Sequence, residues 1–304
     1  MKIFVTGGAG FIGKYLIKVL IKNNHNITIF DNFSNSSKNS ILHLFQNNVK
    51  IIEGDITNFK EIDFALKDHD VLIHLAAKIS VKESIENPIE TFHTNVEGTK
   101  NVVTACLKNK IKKIVIASSA AVYGESDSSQ IKLKEESEKN PISPYGESKR
   151  IMEQYVEEKL STNNLDYVIL RFFNIFGIGQ SNEYAGVITK FGEKISKGED
   201  LKIFGDGKQT RDFVAIEDVV KVISHVISIK LKNGIYNIAS GHSITIKNLA
   251  ELMISKSNKR IRIKHDEIKK GEIKYSQADI TSAKKNIGFE PLILIENKIN
   301  DFLK

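Results

Sequence analysis

A chain of 304 residues, 41% hydrophobic and 27% charged, is long enough for one large α/β domain and a smaller second one. No apolar run approaches the roughly 20 residues a membrane helix needs, and a single cysteine, Cys106, excludes an internal disulfide, which suits the cytoplasm. The net charge of +7 comes from scattered lysines, with five arginines and no aromatic-interleaved basic stripe, so anionic small substrates fit better than nucleic acid.

The chain opens on a strand, KIFVT, and a helix, FIGKYLIKVLIKN, separated by glycines; that break, after one lysine, is not the pattern of a secretory leader. NITIFD is the second strand, followed by a polar loop and a helix near Ile41 to Gln46. VKIIEGD and FKEIDFALKD give a third strand and helix, and VLIHLAA a fourth strand. A long helical stretch from about Glu90 to Asn109 follows, where Val102 and Val103 place Cys106 on a buried face. KKIVIASS is the fifth strand, the next helix runs from Glu147 to Leu160, and YVILRFFNIFG gives a sixth strand near Tyr167. Short β-branched runs alternating with helices imply right-handed crossovers and a parallel sheet covered on both faces: a doubly wound, Rossmann-like α/β fold.

Beyond about Ile175 the alternation loosens. A helix near Val187 to Lys197 precedes LKIFGDGKQTRDFV, the helix IEDVVKVISHVIS, the strand GIYNIA and a last helix near Leu294 to Leu303. With no linker or hinge in sight, residues 175–304 are expected to form a smaller C-terminal α/β lobe interleaved with residues 1–174, some segments returning to the first domain.

GGAGFIG lies directly between the first strand and its helix and holds Gly8, Gly10 and Gly13 in G-x-G-x-x-G spacing, with Gly7 ahead. Glycines there permit the tight turn and let backbone N–H groups approach a pyrophosphate at the helix N-terminus. Asp31 ends the second strand, 18 residues past Gly13. A carboxylate at that point accepts hydrogen bonds from a ribose and repels a 2′-phosphate, which favours NAD over NADP. Two more loops fall at C-terminal strand ends, where ligands bind in such sheets. Asp55 and Ile56 are placed to reach an adenine, and Ala76, Ala77 and Lys78 to allow close approach of the cofactor. Each of these two loops, taken singly, reads equally as ordinary loop chemistry.

Tyr-x-x-x-Lys puts a phenol and an ammonium on one helix face, where the cation favours the phenolate and so creates a base near neutral pH. Lysine is so common here that chance supplies such pairs, and two occur: Tyr145 with Lys149, and Tyr155 with Lys159. Tyr155 lies mid-helix, whereas Tyr145 follows Pro144 at the helix start, where the site is open. Ser118 and Ser119 end the fifth strand at the same sheet edge, where a hydroxyl can relay a substrate proton to Tyr145.

With these motifs in place, the sequence resembles the extended short-chain dehydrogenase/reductases of the NAD-dependent epimerase/dehydratase group, and within them is similar to the UDP-glucose 4-epimerases. The resemblance runs over nearly the whole chain and is carried by TGGAGFIG, DN at Asp31, GDI at Asp55, HLAAKISVKES, NVEGT, SSAAVYG, PYGESK, LRFFNIFG, FGDGKQTRDFV, YNIASG and ADITSAKKNIGFEP. It implies catalysis by Ser119, Tyr145 and Lys149. It implies an NAD site lined by Gly7, Gly10, Phe11, Ile12, Gly13, Asp31, Asn32, Asp55, Ile56, Leu75, Ala76, Ala77, Lys78, Asn95 and Ser118, with Phe173 beside the nicotinamide. Asn174, Val187, Arg211, Lys269 and Ser276 would hold the nucleotide sugar, and a homodimer would form through the helices near 90–109 and 147–160.

The subclass is read from what stands before VYG. Similar dehydratases carry an Asp-Glu pair there and related decarboxylases a Glu; this chain has Ala120 and Ala121, which can neither give nor take a proton. A reversible hydride step through a 4-keto sugar needs only the trio. Two positions depart from the epimerase pattern or refine it. Lys269 stands where the pattern has an arginine, keeping the charge but losing the bidentate fork. Ser276 falls at a position whose size is thought to gate 2-N-acetyl sugars, so UDP-N-acetylhexosamines are expected beside UDP-glucose and UDP-galactose. The rivals are UDP-glucuronate 4-epimerisation or another nucleotide-sugar oxidoreduction on the same scaffold and, from another class, a silent NAD-sensing protein. The last predicts loss of the trio, and the trio is present.

Overall fold

The computed structural model describes residues 1–44, 48–126, 128, 131–163, 165–180, 186–230, 232–267 and 273–304. In chain order, β1 (Lys2–Thr6), α1 (Phe11–Lys22), β2 (Asn26–Asp31), β3 (Val49–Glu53), α2 (Phe59–Ala65) and β4 (Val71–His74) come first. α3 (Val81–Glu86), α4 (Pro88–Phe92), α5 (Gly98–Lys108), β5 (Lys113–Ser119), α6 (Pro144–Ser161) and β6 (Asp166–Phe172) complete the first half. The second contains β7 (Asn174–Phe176), α7 (Val187–Ser196), β8 (Leu201–Phe204), β9 (Thr210–Ala215), α8 (Ile216–Val226) and β10 (Gly234–Ile238). It ends with β11 (Ser243–Thr245), α9 (Ile246–Ser257), β12 (Ile263–Asp266), α10 (Thr281–Ile287) and α11 (Ile295–Lys298).

Seven parallel strands in the order β10-β6-β5-β4-β1-β2-β3 make the main sheet. The order reverses between β1 and β4, so the crevice for ligands opens at the C-terminal ends of those two strands. The near-continuous apolar runs of the sequence are explained by burial on both faces. Leu16, Ile17 and Leu20 of α1 pack with Val219, Ile223 and Ala283 on one face; Val102, Cys106, Met152 and Val156 pack with Phe4 and Ile116 on the other. α6, which carries the tyrosine, begins by strong local rules: Ser143 caps the Gly146 amide, Pro144 takes the first position, and Glu147 and Lys159 sit at the ends that suit their charge.

Four segments differ from the sequence expectation. The helix near Ile41 is a 3₁₀ helix, Lys38–Leu44, and residues 45–47 lie outside the described residues. The stretch from 90 to 109 is three pieces, because a π-helical turn, His93–Glu97, joins α4 to α5. The last helix is one turn of α-helix followed by the 3₁₀ segment Ile299–Phe302. The sixth strand divides at Phe173: β6 stays in the main sheet while β7 joins β9 and β11 in a three-stranded sheet. β10, from the second half, pairs with β6 at the sheet edge. The chain therefore crosses between the two lobes at Phe173, whose amide donates to Ile238 O at 3.0 Å.

Candidate active site

The glycine turn is built for close approach. Gly7 has φ +67, and a Cβ there would lie 2.6 Å from the Ala76 amide nitrogen, so β1 and the loop after β4 meet backbone to backbone. The N-cap of α1, Gly10, offers no side-chain hydrogen bond to the first-turn amides of Phe11, Ile12 and Gly13, which is the arrangement an anion completes. Asp31 braces the turn: its carboxylate accepts from Ala9 N at 2.9 Å and from Phe33 N at 2.8 Å. Burial raises its pKa, and those two amides and Lys14 oppose the rise. Asn32 donates to Asp55 at 2.8 Å, joining the ends of β2 and β3, and Asp55 also takes the Thr57 amide and hydroxyl. Leu75 donates its amide to Thr6 O, and Ala76 and Ala77 are half-buried at the edge of the same crevice.

Two residues expected along the cofactor lie deeper than expected. Asn95 is buried in the π-helical turn, where Oδ1 accepts the Lys78 amide at 2.8 Å and Nδ2 donates to Lys78 O at 2.9 Å and Ser148 Oγ at 3.0 Å. It fixes the shape of the loop rather than lining it. Ile56 is likewise buried, in the core beneath α2 and α5. Lys78 keeps its ammonium at the surface, paired with Glu90 at 2.8 Å. Cradle, acid and small-residue loop fit a dinucleotide.

Two strands along the sheet stand the tyrosine and lysine. Tyr145 is half-buried, its phenol on the side of the Ser119 hydroxyl, which itself accepts the Ala121 amide at 3.2 Å. One turn on, Lys149 is buried and donates from Nζ to Ala117 O at 3.0 Å. Burial pushes the Tyr145 phenol up, with the Ser119 hydroxyl opposing. Burial also pulls Lys149 down to about 8, against the nearby Glu153 carboxylate. His74 completes the wall between Thr6 Oγ1 at 2.7 Å and Thr99 Oγ1 at 3.0 Å, held neutral by burial and by the Lys149 charge, with its pKa at about 3. The competing pair is separate: Tyr155 packs on the core with Lys100 Nζ 5.7 Å from its ring centre, while Lys159 is exposed.

The second lobe contributes a compact cluster. Arg211 lies on β9 opposite Ile244 and donates to Thr210 O at 2.8 Å; Ser276, buried, donates its amide to Thr210 Oγ1 at 3.2 Å. Asn174 opens β7 and is exposed, and Val187 opens α7 and is half-buried. Phe173 is buried in the joint between the lobes, its ring 6.3 Å from that of Tyr123. Lys269 lies outside the described residues.

Sequence reasoning missed several groups that shape the site. Ser84, fully buried, accepts the Tyr145 amide at 3.1 Å. Glu153, never singled out in the sequence, accepts from Ser118 Oγ at 2.6 Å and so turns that expected cofactor-site serine away from the crevice. Asp212, beside Arg211, accepts from Ser240 N, Ser240 Oγ, Gly241 N and Ala278 N, and so ties β9 to two loops of the second half. Only the proximity of Asp212 to Arg211 in RDF was a usable signal; a helix acid such as Glu153 reads as solvent-facing.

Comparison with known proteins agrees with this geometry. The model of the NAD dependent epimerase/dehydratase family matches residues 3–239. The chain is 37% identical to a putative UDP-glucose 4-epimerase of Methanocaldococcus jannaschii, over 98% of this chain and 95% of the relative. It is 32% identical to a UDP-N-acetyl-alpha-D-glucosaminuronate decarboxylase of Bacillus cytotoxicus, over 99% and 96%. The solved structure of a UDP-N-acetylglucosamine 4-epimerase from Methanobrevibacter ruminantium M1, in complex with UDP-N-acetylmuramic acid, superposes with a TM-score of 0.91 at 36% identity, covering 99% of this chain and 95% of that one. With the family model matched over most of the chain and relatives of more than 30% identity over nearly all of it, this chain belongs to the NAD dependent epimerase/dehydratase family.

Proposed function

We propose that the chain is an NAD-dependent nucleotide-sugar 4-epimerase, acting on UDP-glucose and UDP-galactose and admitting UDP-N-acetylhexosamines through the small Ser276. The observation that carries the reading is the trio at the end of β5, with Ser119 beside Tyr145 and Lys149 one turn behind, followed at once by Ala120 and Ala121. Elimination of water or loss of carbon dioxide needs a further acid or base there, and alanine supplies none.

NAD⁺, when bound, would supply the hydride acceptor and donor for the sugar's C4. The glycine turn, Asp31, Asn32 and the loop from Leu75 to Lys78 hold it. Tyr145 receives the 4-hydroxyl proton, directly or by way of Ser119, and gives it back when the 4-keto sugar has presented its other face. In the chain alone, burial keeps the Tyr145 phenol high while Lys149 titrates at about 8. The phenolate therefore needs the positive nicotinamide beside it, which couples base activation to cofactor occupancy. Arg211, Asn174, Val187 and Lys269 are assigned to the nucleotide and its diphosphate, which anchors the sugar as it turns. Residues 1–174 serve as the NAD half and 175–304 as the sugar half, with β10 returned to the first. A homodimer through the helices of 88–108 and 144–161, in the cytoplasm, completes the reading.

The test is a panel of UDP-sugars offered to the purified enzyme with no added NAD, products separated by chromatography and weighed by mass spectrometry. Interconversion at unchanged mass supports the proposal; a product lighter by water or carbon dioxide, or a need for external NAD(H), overturns it. Turnover of UDP-galactose without UDP-N-acetylgalactosamine would remove the N-acetyl part alone. Exclusive turnover of UDP-glucuronate would instead favour the uronate epimerase reading.

A further inference from the structure

Three residues of α6, each four apart, meet three consecutive residues of β5. Tyr145 faces Ser119, Lys149 Nζ donates to Ala117 O, and Glu153 accepts from Ser118 Oγ at 2.6 Å. The third contact is the unexpected one, since Glu153 is 0% exposed. Its partner, Arg171, is also 0% exposed and sits on β6 directly opposite Ser118 in the ladder. The pair is bidentate, Nε to Oε1 and Nη2 to Oε2, both at 2.8 Å. The remaining arginine donors go to Tyr123 Oη at 2.7 Å and Glu135 O at 2.8 Å, so the guanidinium is locked from both sides.

Such a pair is a poor device for stability alone, because well-packed apolar residues commonly do as well or better. Its position is what distinguishes it: one helical turn from Lys149 and one residue from Ser119. Resting on the function proposed above, we infer that Glu153, fixed by Arg171, is a positioning residue that holds Lys149 charged and sets the Ser118–Ser119 strand end in register with Tyr145. The groups facing Lys149 are Tyr145 and Glu153 from α6 and His74 from β4, which is neutral; beyond Glu153 stand Arg171 from β6 and, 3.8 Å from its carboxylate, Lys139 from the loop before α6. Among these Glu153 is the anion, so removing it leaves the ammonium with cations and neutral groups.

The test compares Glu153→Gln, Glu153→Asp and the double variant Glu153→Met/Arg171→Met, which strands no buried guanidinium and so is the variant to read where the single Gln one does not fold. Two readouts are taken on NAD-loaded protein: the kcat–pH profile, and the Lys149 side-chain titration by NMR with Lys149→Met as the assignment blank. In Glu153→Gln, kcat is expected to drop at least about 30-fold with KM within about 3-fold. The alkaline limb and the Lys149 midpoint should both move to lower pH. The double variant should shift both in the same direction, and Glu153→Asp, which keeps the charge, should restore the limb. Wild-type kcat, limb and midpoint in the double variant would overturn the inference. A wild-type enzyme that fails to epimerise any UDP-sugar would sink the functional reading instead, and the NMR midpoint would still decide this one.

Discussion

The backbone amide of Tyr145 is held by the hydroxyl of Ser84, 61 residues away in sequence and 3.1 Å away in space. The same hydroxyl donates to Val81 O at 2.7 Å, so α3 clamps the first turn of α6 through one buried side chain. Ser84→Ala strands the amide without a partner, a loss of about 1–3 kcal/mol. Urea unfolding should report a drop of that order, and kcat should fall severalfold with KM little changed. Unaltered stability and kcat would mean that the clamp is idle.

Tyr145→Phe keeps the ring and removes the hydroxyl proposed as proton acceptor. Turnover should fall by about 10²–10⁴-fold or more while NAD stays bound. Because burial holds the Tyr145 phenol high in the chain alone, the tyrosinate ultraviolet band assigned by difference from Tyr145→Phe should appear well above neutral pH in NAD-stripped protein. With NAD⁺ bound it should move toward neutrality. A band at the same pH in both forms would dissociate the base from the cofactor.

Lys149 gives opposite trends for activity and stability across one pH window. Its ammonium is buried and its pKa lies at about 8 against an ordinary 10.5. Below about 8 it is charged and can support the phenolate, so kcat should decline as pH rises through that value. Between 8 and 10.5 the unfolded chain keeps a proton that the folded one has shed, so this group makes the fold more stable as pH rises. Lys149→Met should abolish the alkaline limb of the rate profile and flatten this part of the stability profile. A wild-type limb that survives the substitution would place the titration elsewhere.

The parts of this molecule legible in its sequence are those governed by local rules. β-branched runs named the strands, the glycine turn named its own context, and Pro144 at the helix start distinguished Tyr145 from Tyr155. Contacts across long sequence gaps left no such mark. Glu153 looks like any helix acid until Arg171 arrives from β6, and Ser84 like any N-cap-rich loop serine. The division of the sixth strand at Phe173 was hidden because both halves are apolar and β-prone; only the partner strands, β5 and β10 for one and β9 for the other, separate them. The π-helical turn escaped because its residues suit an α-helix equally well, and the extra residue pays for itself by aiming Asn95 at the Lys78 backbone.

Gly7 is a point where a single methyl group would collide with the loop after β4. At φ +67 an L side chain costs about 1–2 kcal/mol in backbone strain. A Cβ would also sit 2.6 Å from Ala76 N and 2.8 Å from Ala76 Cα, backbone atoms that cannot swing aside. Relief requires β1 and the loop after β4 to part, and that loop is the one Asn95 holds through Lys78. Gly7→Ala should therefore purify with little or no NAD and lose activity, with a lowered thermal midpoint that added NAD only partly restores. Gly198→Ala is the matched control: φ is +72 and nothing lies within 4 Å of a Cβ there, so it carries the strain without the collision. It should lose stability to a similar backbone degree and keep its NAD. If both variants retained the cofactor equally, the close approach of Gly7 to Ala76 would be a packing detail and not the wall of the binding crevice.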